Sequence, residues 1–432
     1  MTIGYIKRLV PVVLLLVLRL NLSGIYAGQK HVLSKEWTAI IDSPVVVALS
    51  EAGEKRWGWY QFPSLGNLPD GNIICMFSHQ QDAVSGYGQR PKCYVSGDKG
   101  KSWEKAEQYY DEILALPHGT ISKVNEGEFL CMPAVRALDV RKDDPELPAP
   151  AAIITHKSLH LYRVSELPST MRKYILELDG QRWHSDKKRW IAEKIHYDQR
   201  GALAWGLPSN KQNILIPRTW FEHPLLNLEK ELLYADYRQF FTNADGKIPQ
   251  NRVASLMVST DNGHSFHKRA TIALDQTGKV AMGEPCLSKT KDGRLACVMR
   301  RQVGNWKGMI QMAITFSNDR GYTWEPVESL NHLGVFPNLN LLDNGVLILS
   351  YGRPGVHLIF SLDGTGREWT EPITLRKGNP KKLLTKSCGY TSLLALGDNE
   401  FLVASSDFEH KNEDGLMYKA ILVRRVYMER KH

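Results

Sequence analysis

Ser317-Asn318-Asp319-Arg320-Gly321-Tyr322-Thr323-Trp324 (SNDRGYTW) decides the fold, because the chain repeats the pattern. SGDKGKSW begins at Ser96 and STDNGHSF at Ser259, while SLDGTGREW from Ser361 carries one extra residue before Trp369. Each stretch has the chemistry of a turn. The carboxylates of Asp98, Asp261, Asp319 and Asp363 can accept backbone N–H bonds, and the following Gly permits positive φ. The closing aromatic (Trp103, Phe266, Trp324, Trp369) can pack between sheets.

A longer repeat surrounds these turns. Its copies are FPSLGNLPDGNIICMF from Phe62, HGTISKVNEGEFLCMP from His118 and GLPSNKQNILIPRTW from Gly206. They continue as GEPCLSKTKDGRLACVMRR from Gly283, FPNLNLLDNGVLILSYGR from Phe336 and GYTSLLALGDNEFLVASSD from Gly389. Each reads as two short strands about a tight turn. Copies at this spacing predict an all-β fold, a six-bladed β-propeller. Asp139–Glu146, charged and containing Pro, reads as a surface loop. Leu226–Gln250 reads as an insertion that projects over the central pocket.

Composition sets the class. With 43% hydrophobic and 23% charged residues in 432, the chain is a soluble globular protein with a sizeable core. Lys7 and Arg8 precede the apolar run Leu9–Leu18, and Gly24-Ile25-Tyr26-Ala27 offers a small-residue cleavage site. Residues 1–27 are therefore expected to be a signal peptide. Residues 28–432 then form one exported propeller domain, a monomer without an integral membrane segment. The formal charge of +9 falls to about +6 without that segment, and no basic block remains. A nucleic-acid partner is not expected, whereas a mild positive field favours acidic ligands. The six cysteines form no C-x-x-C pair and read as buried thiols. No nucleotide, haem, zinc or calcium motif occurs, so no cofactor or metal is expected.

In a propeller the first strand of each blade lines the channel. Repeat phase then brings Gln61, His118, Trp205, Glu284, Phe336 and Tyr390 to one mouth. Second-strand ends add Asp82, Arg218 with Glu222, Arg300 or Arg301, Arg353 and Asp407. Arg300 and Arg301 point to opposite faces, so one of them faces inward, and Arg300 is taken. Acids, arginines and a tyrosine in one ring suit an anionic ligand.

The S-x-D-x-G-x-x-W pattern is the aspartate box of sialidases, and the chain resembles the exo-sialidase family over nearly its whole mature length. GYTSLLAL resembles the segment carrying that family's nucleophile, which implies Tyr390 in that role. GEPCLS implies Glu284 as its base, and FSHQQDAVSG implies Asp82 as the acid. VMRRQ and YGRPG imply Arg300 and Arg353 as two of the three arginines that hold a substrate carboxylate. The family's first arginine lies in Phe-Arg-Ile-Pro; here the segment is Tyr60-Gln61-Phe62-Pro63, so an uncharged Gln61 takes its place. Arg218 is a candidate substitute and His118 a further pocket residue.

The resemblance implies a retaining exo-glycosidase that removes a terminal acidic sugar from a glycan or oligosaccharide. A neutral Tyr nucleophile escapes the like-charge repulsion that a carboxylate would meet beside an acidic sugar. Two alternatives stay open: a polysaccharide lyase acting on uronic acids through Tyr390 or His118, and a non-catalytic carbohydrate-binding propeller.

Overall fold

The computed structural model describes residues 28–431 except 107–119, 133–135, 142–146, 155–157, 199, 209–212, 244, 305–307 and 385. The expected signal peptide, His118 and residues 142–146 therefore lie outside the described residues; residues 139–141, read as the start of a surface loop, instead end the strand Ala137–Arg141.

The chain is nearly all β, with 55% strand against 4% helix, as expected. Antiparallel four-stranded sheets are built in chain order from Trp59–Lys105, Val280–Leu333 and Val335–Arg376. An eight-stranded sheet divides into two such halves. One holds Ile121–Asn125, Glu128–Cys131, Glu177–His184 and Arg189–Tyr197. The other holds Leu226–Leu228, Glu231–Asp236, Ala254–Ser259 and Ser265–Ala273. A short parallel pairing, His196 to Ser265 and Tyr197 to Phe266, joins the halves. The last sheet takes strands from both ends of the chain: Trp37–Ile41 pairs with Met417–Arg430, Trp37 opposite Arg430.

The core lies between these sheets. Ile74 and Met76 meet Ile121 and Cys131; Leu178 and Ile195 meet Leu232 and Met257; Leu256 and Ile272 meet Met282 and Leu295. Val298 and Phe316 then meet Leu347 and Ile359, Ile348 and Phe360 meet Phe401 and Val426, and Leu402 and Ala404 return to Cys75 and Phe77. Strand alternation puts one apolar row on each face, so each of these units packs on both neighbours and the last packs on the first.

The four repeated turns serve this packing. In each, a Ser Oγ accepts the Gly N–H: Ser96 from Gly100 at 2.7 Å, Ser259 from Gly263 and Ser317 from Gly321 at 2.8 Å, and Ser361 from Gly366 at 3.0 Å. Asp319 accepts from Thr323 N at 2.9 Å, from Ser317 Oγ at 2.8 Å and from Thr323 Oγ1 at 2.6 Å. Each turn seats against the preceding sheet. A Cβ on Gly321 would lie 2.2 Å from Leu256 Cδ2 and would have to displace it, at a φ of +87° that strains any other residue. Replacing Asp319 with Ala removes these bonds from an exposed turn. Urea denaturation is expected to show a loss of about 1–2 kcal/mol with an unchanged m-value.

Two sequence expectations are corrected here. The copy at Gly206 is a hairpin, Leu207 opposite Leu215, but it belongs to a separate sheet. That sheet combines Ala137–Arg141, Ala152–Ile154, Leu159–Arg163, Ala202–Pro208, Asn213–Pro217 and Phe240–Phe241. The repeat actually in phase is Leu226–Leu228 with Glu231–Asp236, inside the segment read as an insertion. Its turn residues Glu229 and Lys230 both have positive φ, at 48° and 76°. Among the described residues no helix is long and apolar enough to cross a membrane. All six cysteines are buried free thiols.

Candidate functional site

Three hydrogen bonds of one kind set the phase of the innermost strands. Ser392 Oγ accepts from Leu65 N, Ser122 Oγ from Leu225 N and Cys286 Sγ from Leu339 N. Counting back two residues from each acceptor gives Tyr390, Thr120 and Glu284. Counting back three from each donor gives Phe62, Glu222 and Phe336. The ladder is irregular at Gln61/Ser64, Gly283/Cys286 and Val335/Asn338, and Phe62, Glu284 and Phe336 sit there with φ of 57°, 49° and 46°. Such bulges re-aim a side chain, and non-Gly residues at positive φ concentrate at functional sites. The aromatic members stack at the hub: Phe336 lies 4.5 Å from Tyr390 with rings 12° apart, and Phe62 lies 4.8 Å from Tyr390.

A cavity of about 440 Å³ opens beside this hub, lined by Phe62, Glu284, Arg300, Arg353, Tyr390 and Asp82, among others. The Tyr390 hydroxyl donates to Glu284 Oε1 at 2.5 Å, and Arg300 Nη1 donates to the same oxygen at 2.9 Å. Phe336 N–H donates to Glu284 Oε2 at 2.7 Å. Burial pushes the Glu284 carboxyl up, but the Arg300 charge, the Tyr390 hydroxyl, Arg353 and the Phe336 N–H bring it down to about 2. It is therefore a carboxylate at neutral pH. Burial, then the Glu284 charge, push the Tyr390 phenol well above its ordinary value, so the shared proton rests on the tyrosine.

The remaining polar groups surround this pair. Arg353 donates through Nε and Nη2 to Cys388 O, at 3.2 and 2.8 Å. Its guanidinium carbon lies 5.6 Å from the Tyr390 ring and 5.8 Å from Trp57. Trp57 Nε1 donates to Asp82 Oδ2 at 2.8 Å, fixing an exposed carboxylate at the rim. Walls come from outside the hub: Val84 and Tyr87 follow Asp82, while Leu159, Trp205 and Leu207 belong to the extra sheet. Trp205 thus reaches the cavity by a route the repeat phase did not foresee.

Structure thus brings together Tyr390, Glu284, Arg300, Arg353 and Asp82. It does not bring in Gln61 or Arg218. Gln61 is fully buried, and with its amide turned to suit these neighbours its oxygen accepts from Gly58 N and Lys419 Nζ at 3.3 Å each. The bulge after it turns Phe62, not Gln61, toward the cavity. Arg218 lies outside the cavity lining, 2.9 Å from Asp179 and over the Tyr174 ring. Arg301 donates to Gln311 O, and Asp407 pairs with Arg376. Glu222 belongs to the ring, where it accepts from Tyr237 Oη at 3.2 Å and pairs with Arg238.

Sequence reasoning missed Arg238 and Arg252, which also line the cavity. Both flank strands of the misplaced repeat, Glu231–Asp236 and Ala254–Ser259. Aligning Pro63, Pro285 and Pro337 would have put Phe62 in phase with Glu284 and Phe336. Among the described residues no group of three His, Cys, Asp or Glu could hold a metal ion.

No protein-family model matches the chain, and no curated protein matches it in sequence. Among solved structures, it is similar to a protein of unknown function from Dyadobacter fermentans, with 17% identity and a TM-score of 0.59 over 90% of this chain and 99% of that one. It is also similar to the Penicillium chrysogenum alpha-L-arabinanase, with 14% identity and a TM-score of 0.51 over 89% and 98%. The Hadza microbial sialidase matches at 16% identity and a TM-score of 0.48, over 86% of this chain and 65% of its own. At such identities the likeness is one of fold.

Proposed function

We propose that this chain is an exported six-bladed propeller with aspartate-box turns, acting as a retaining exo-glycosidase on a terminal acidic sugar. The observation that carries this reading is the Tyr390 hydroxyl held at 2.5 Å on a buried Glu284 carboxylate in an arginine-lined cavity. Tyr390 Oη attacks the anomeric carbon while its proton passes to Glu284 Oε1. Transfer is unfavourable at rest and becomes favourable as positive charge develops on the sugar beside the oxygen. Arg300 and Arg353 hold the substrate carboxylate. Asp82 protonates the leaving oxygen and then draws the proton from the water that releases the sugar.

Purified protein incubated with aryl α-sialosides and other acidic aryl glycosides is expected to release the free sugar from at least one. Silence across the panel would defeat the hydrolase reading. Asp82 supplies its own test. Asp82→Asn is expected to slow substrates with poor leaving groups by about 10²-fold or more, and nitrophenyl glycosides far less, because a good leaving group needs no proton. Equal losses on both would remove Asp82 from the acid role.

A further inference from the structure

The cavity holds more cationic donors than one carboxylate clamp requires. Besides Arg300 and Arg353, its lining includes Arg238, Arg252, Gln302 and Trp220. Gln302 lies two residues beyond Arg300 on the strand Leu295–Val303, hence on the same face and about 7 Å along it. The partners across the ladder are Gly283 for Arg300 and Ala281 for Gln302, small residues that let the Tyr237 ring lie against the strand, 3.4 Å from where a Cβ on Gly283 would stand. The Arg252 carbonyl accepts from Met282 N at 3.0 Å, which ties Arg252 to the neighbouring stretch. Its guanidinium carbon lies 5.2 Å from the Tyr237 ring and 5.8 Å from Trp205. The Arg238 guanidinium lies 4.0 Å over Trp220 and 4.4 Å from Tyr237. Tyr237, with Trp220 on Arg238 and Trp205 on Arg252, thus holds a second guanidinium pair.

Among the described residues the unpaired buried side-chain atoms of the lining are all donors, whereas behind Arg238 the Glu222 Oε2 is unpaired as well. Arg238 Nε, Gln302 Nε2, Trp220 Nε1 and Arg300 Nε are all buried without an acceptor among the described residues. Buried donors of this kind take an acceptor from ordered water or from a bound ligand. Around them the lining carries four arginines against the carboxylates of Glu284 and Asp82. Glu222, which pairs with Arg238 from behind, leaves the balance positive. Burial, then the neighbouring Arg238 charge, lower Arg252 to about 10, the behaviour of two cations facing the same space.

We propose that the cavity has a second anion subsite, formed by Arg238, Arg252, Gln302 and Trp220, and that its glycan ligand carries two anionic groups within one sugar length. One is the carboxylate beside Arg300 and Arg353; the other is a sulfate ester or a second carboxylate. This inference rests on the cavity being the glycan site proposed above.

Binding tests it independently of turnover. Titration calorimetry would compare acidic disaccharides of one backbone with no added group, with one sulfate, or with one further carboxylate. Wild-type protein is expected to bind one doubly anionic form at least about tenfold tighter than the singly anionic form. That ratio should fall to within about twofold in Arg252→Gln and by severalfold in Gln302→Met, a variant of similar volume that keeps the fold. The preferred member of the sulfate and carboxylate arms identifies the second group. Equal binding of all three forms, a ratio unchanged in both variants, or no binding at all would overturn the proposal. Sugar release is read on the same samples. A binding ratio without release upholds the subsite and defeats the hydrolase reading, whereas release without a ratio does the reverse.

Discussion

Tyr390→Phe is expected to lower kcat/KM on the best acidic aryl glycoside by about 10³-fold or more while leaving the fold intact. The substitution removes one oxygen. The ring keeps its stack on Phe336 at 4.5 Å and its edge contact with Phe62 at 4.8 Å. Glu284 keeps the Arg300 and Phe336 hydrogen bonds. Loss of one hydrogen bond to a buried carboxylate should cost about 1.5–3 kcal/mol, visible as a shift in the urea midpoint with the m-value unchanged. A variant that folds and binds the sugar but does not turn it over separates a nucleophile from a packing residue. Activity within about tenfold of wild type, measured by release of the free sugar, would remove Tyr390 from the nucleophile role.

What could be read from the sequence was whatever carries a turn residue or a Pro. Gly100, Gly263, Gly321 and Gly366 declare the repeated turns because a Cβ would strike the preceding sheet or flexible side chains on it. Glu284 and Phe336 could be set in one phase because Pro285 and Pro337 follow them at the bulge. The third inner hairpin escaped because Glu229 and Lys230 adopt positive φ without Gly, Asn or Asp, so its turn has no signature. Nearby, Pro208-Ser209-Asn210 does carry one, and that hairpin lies in another sheet. Gln61 was misassigned for a related reason. Alternation counts one face per residue, whereas the bulge between Gln61 and Ser64 breaks the count. Arg238 and Arg252 followed the misplaced hairpin out of view. Long-range pairing, such as Glu222 with Arg238 or Trp57 with Asp82, leaves no local pattern to read.

Glu284→Gln is expected to produce the second large effect, and one that depends on pH. The ordinary value for a Glu carboxyl is 4.5, and in the folded protein Glu284 falls to about 2. Between those values the unfolded chain binds the proton that the native state refuses. The ionised carboxylate therefore contributes about 3 kcal/mol, complete above roughly pH 5 and lost as pH falls toward 2. Gln keeps the shape but withdraws the charge, leaving the largely buried Arg300 without its counter-ion. Urea denaturation should show the variant less stable by about 3 kcal/mol at pH 7, with the gap narrowing at pH 3.5. Turnover should fall by about 10²–10⁴-fold, because no group remains to take the Tyr390 proton. The same depressed value assigns any acid limb of the pH–rate profile above roughly pH 4 to another group, because a carboxyl at about 2 is already ionised there. A stability gap that is constant from pH 7 to pH 3.5 would mean that Glu284 is not the ionised centre of the site. Normal turnover in a folded variant would mean that Tyr390 passes its proton to another group.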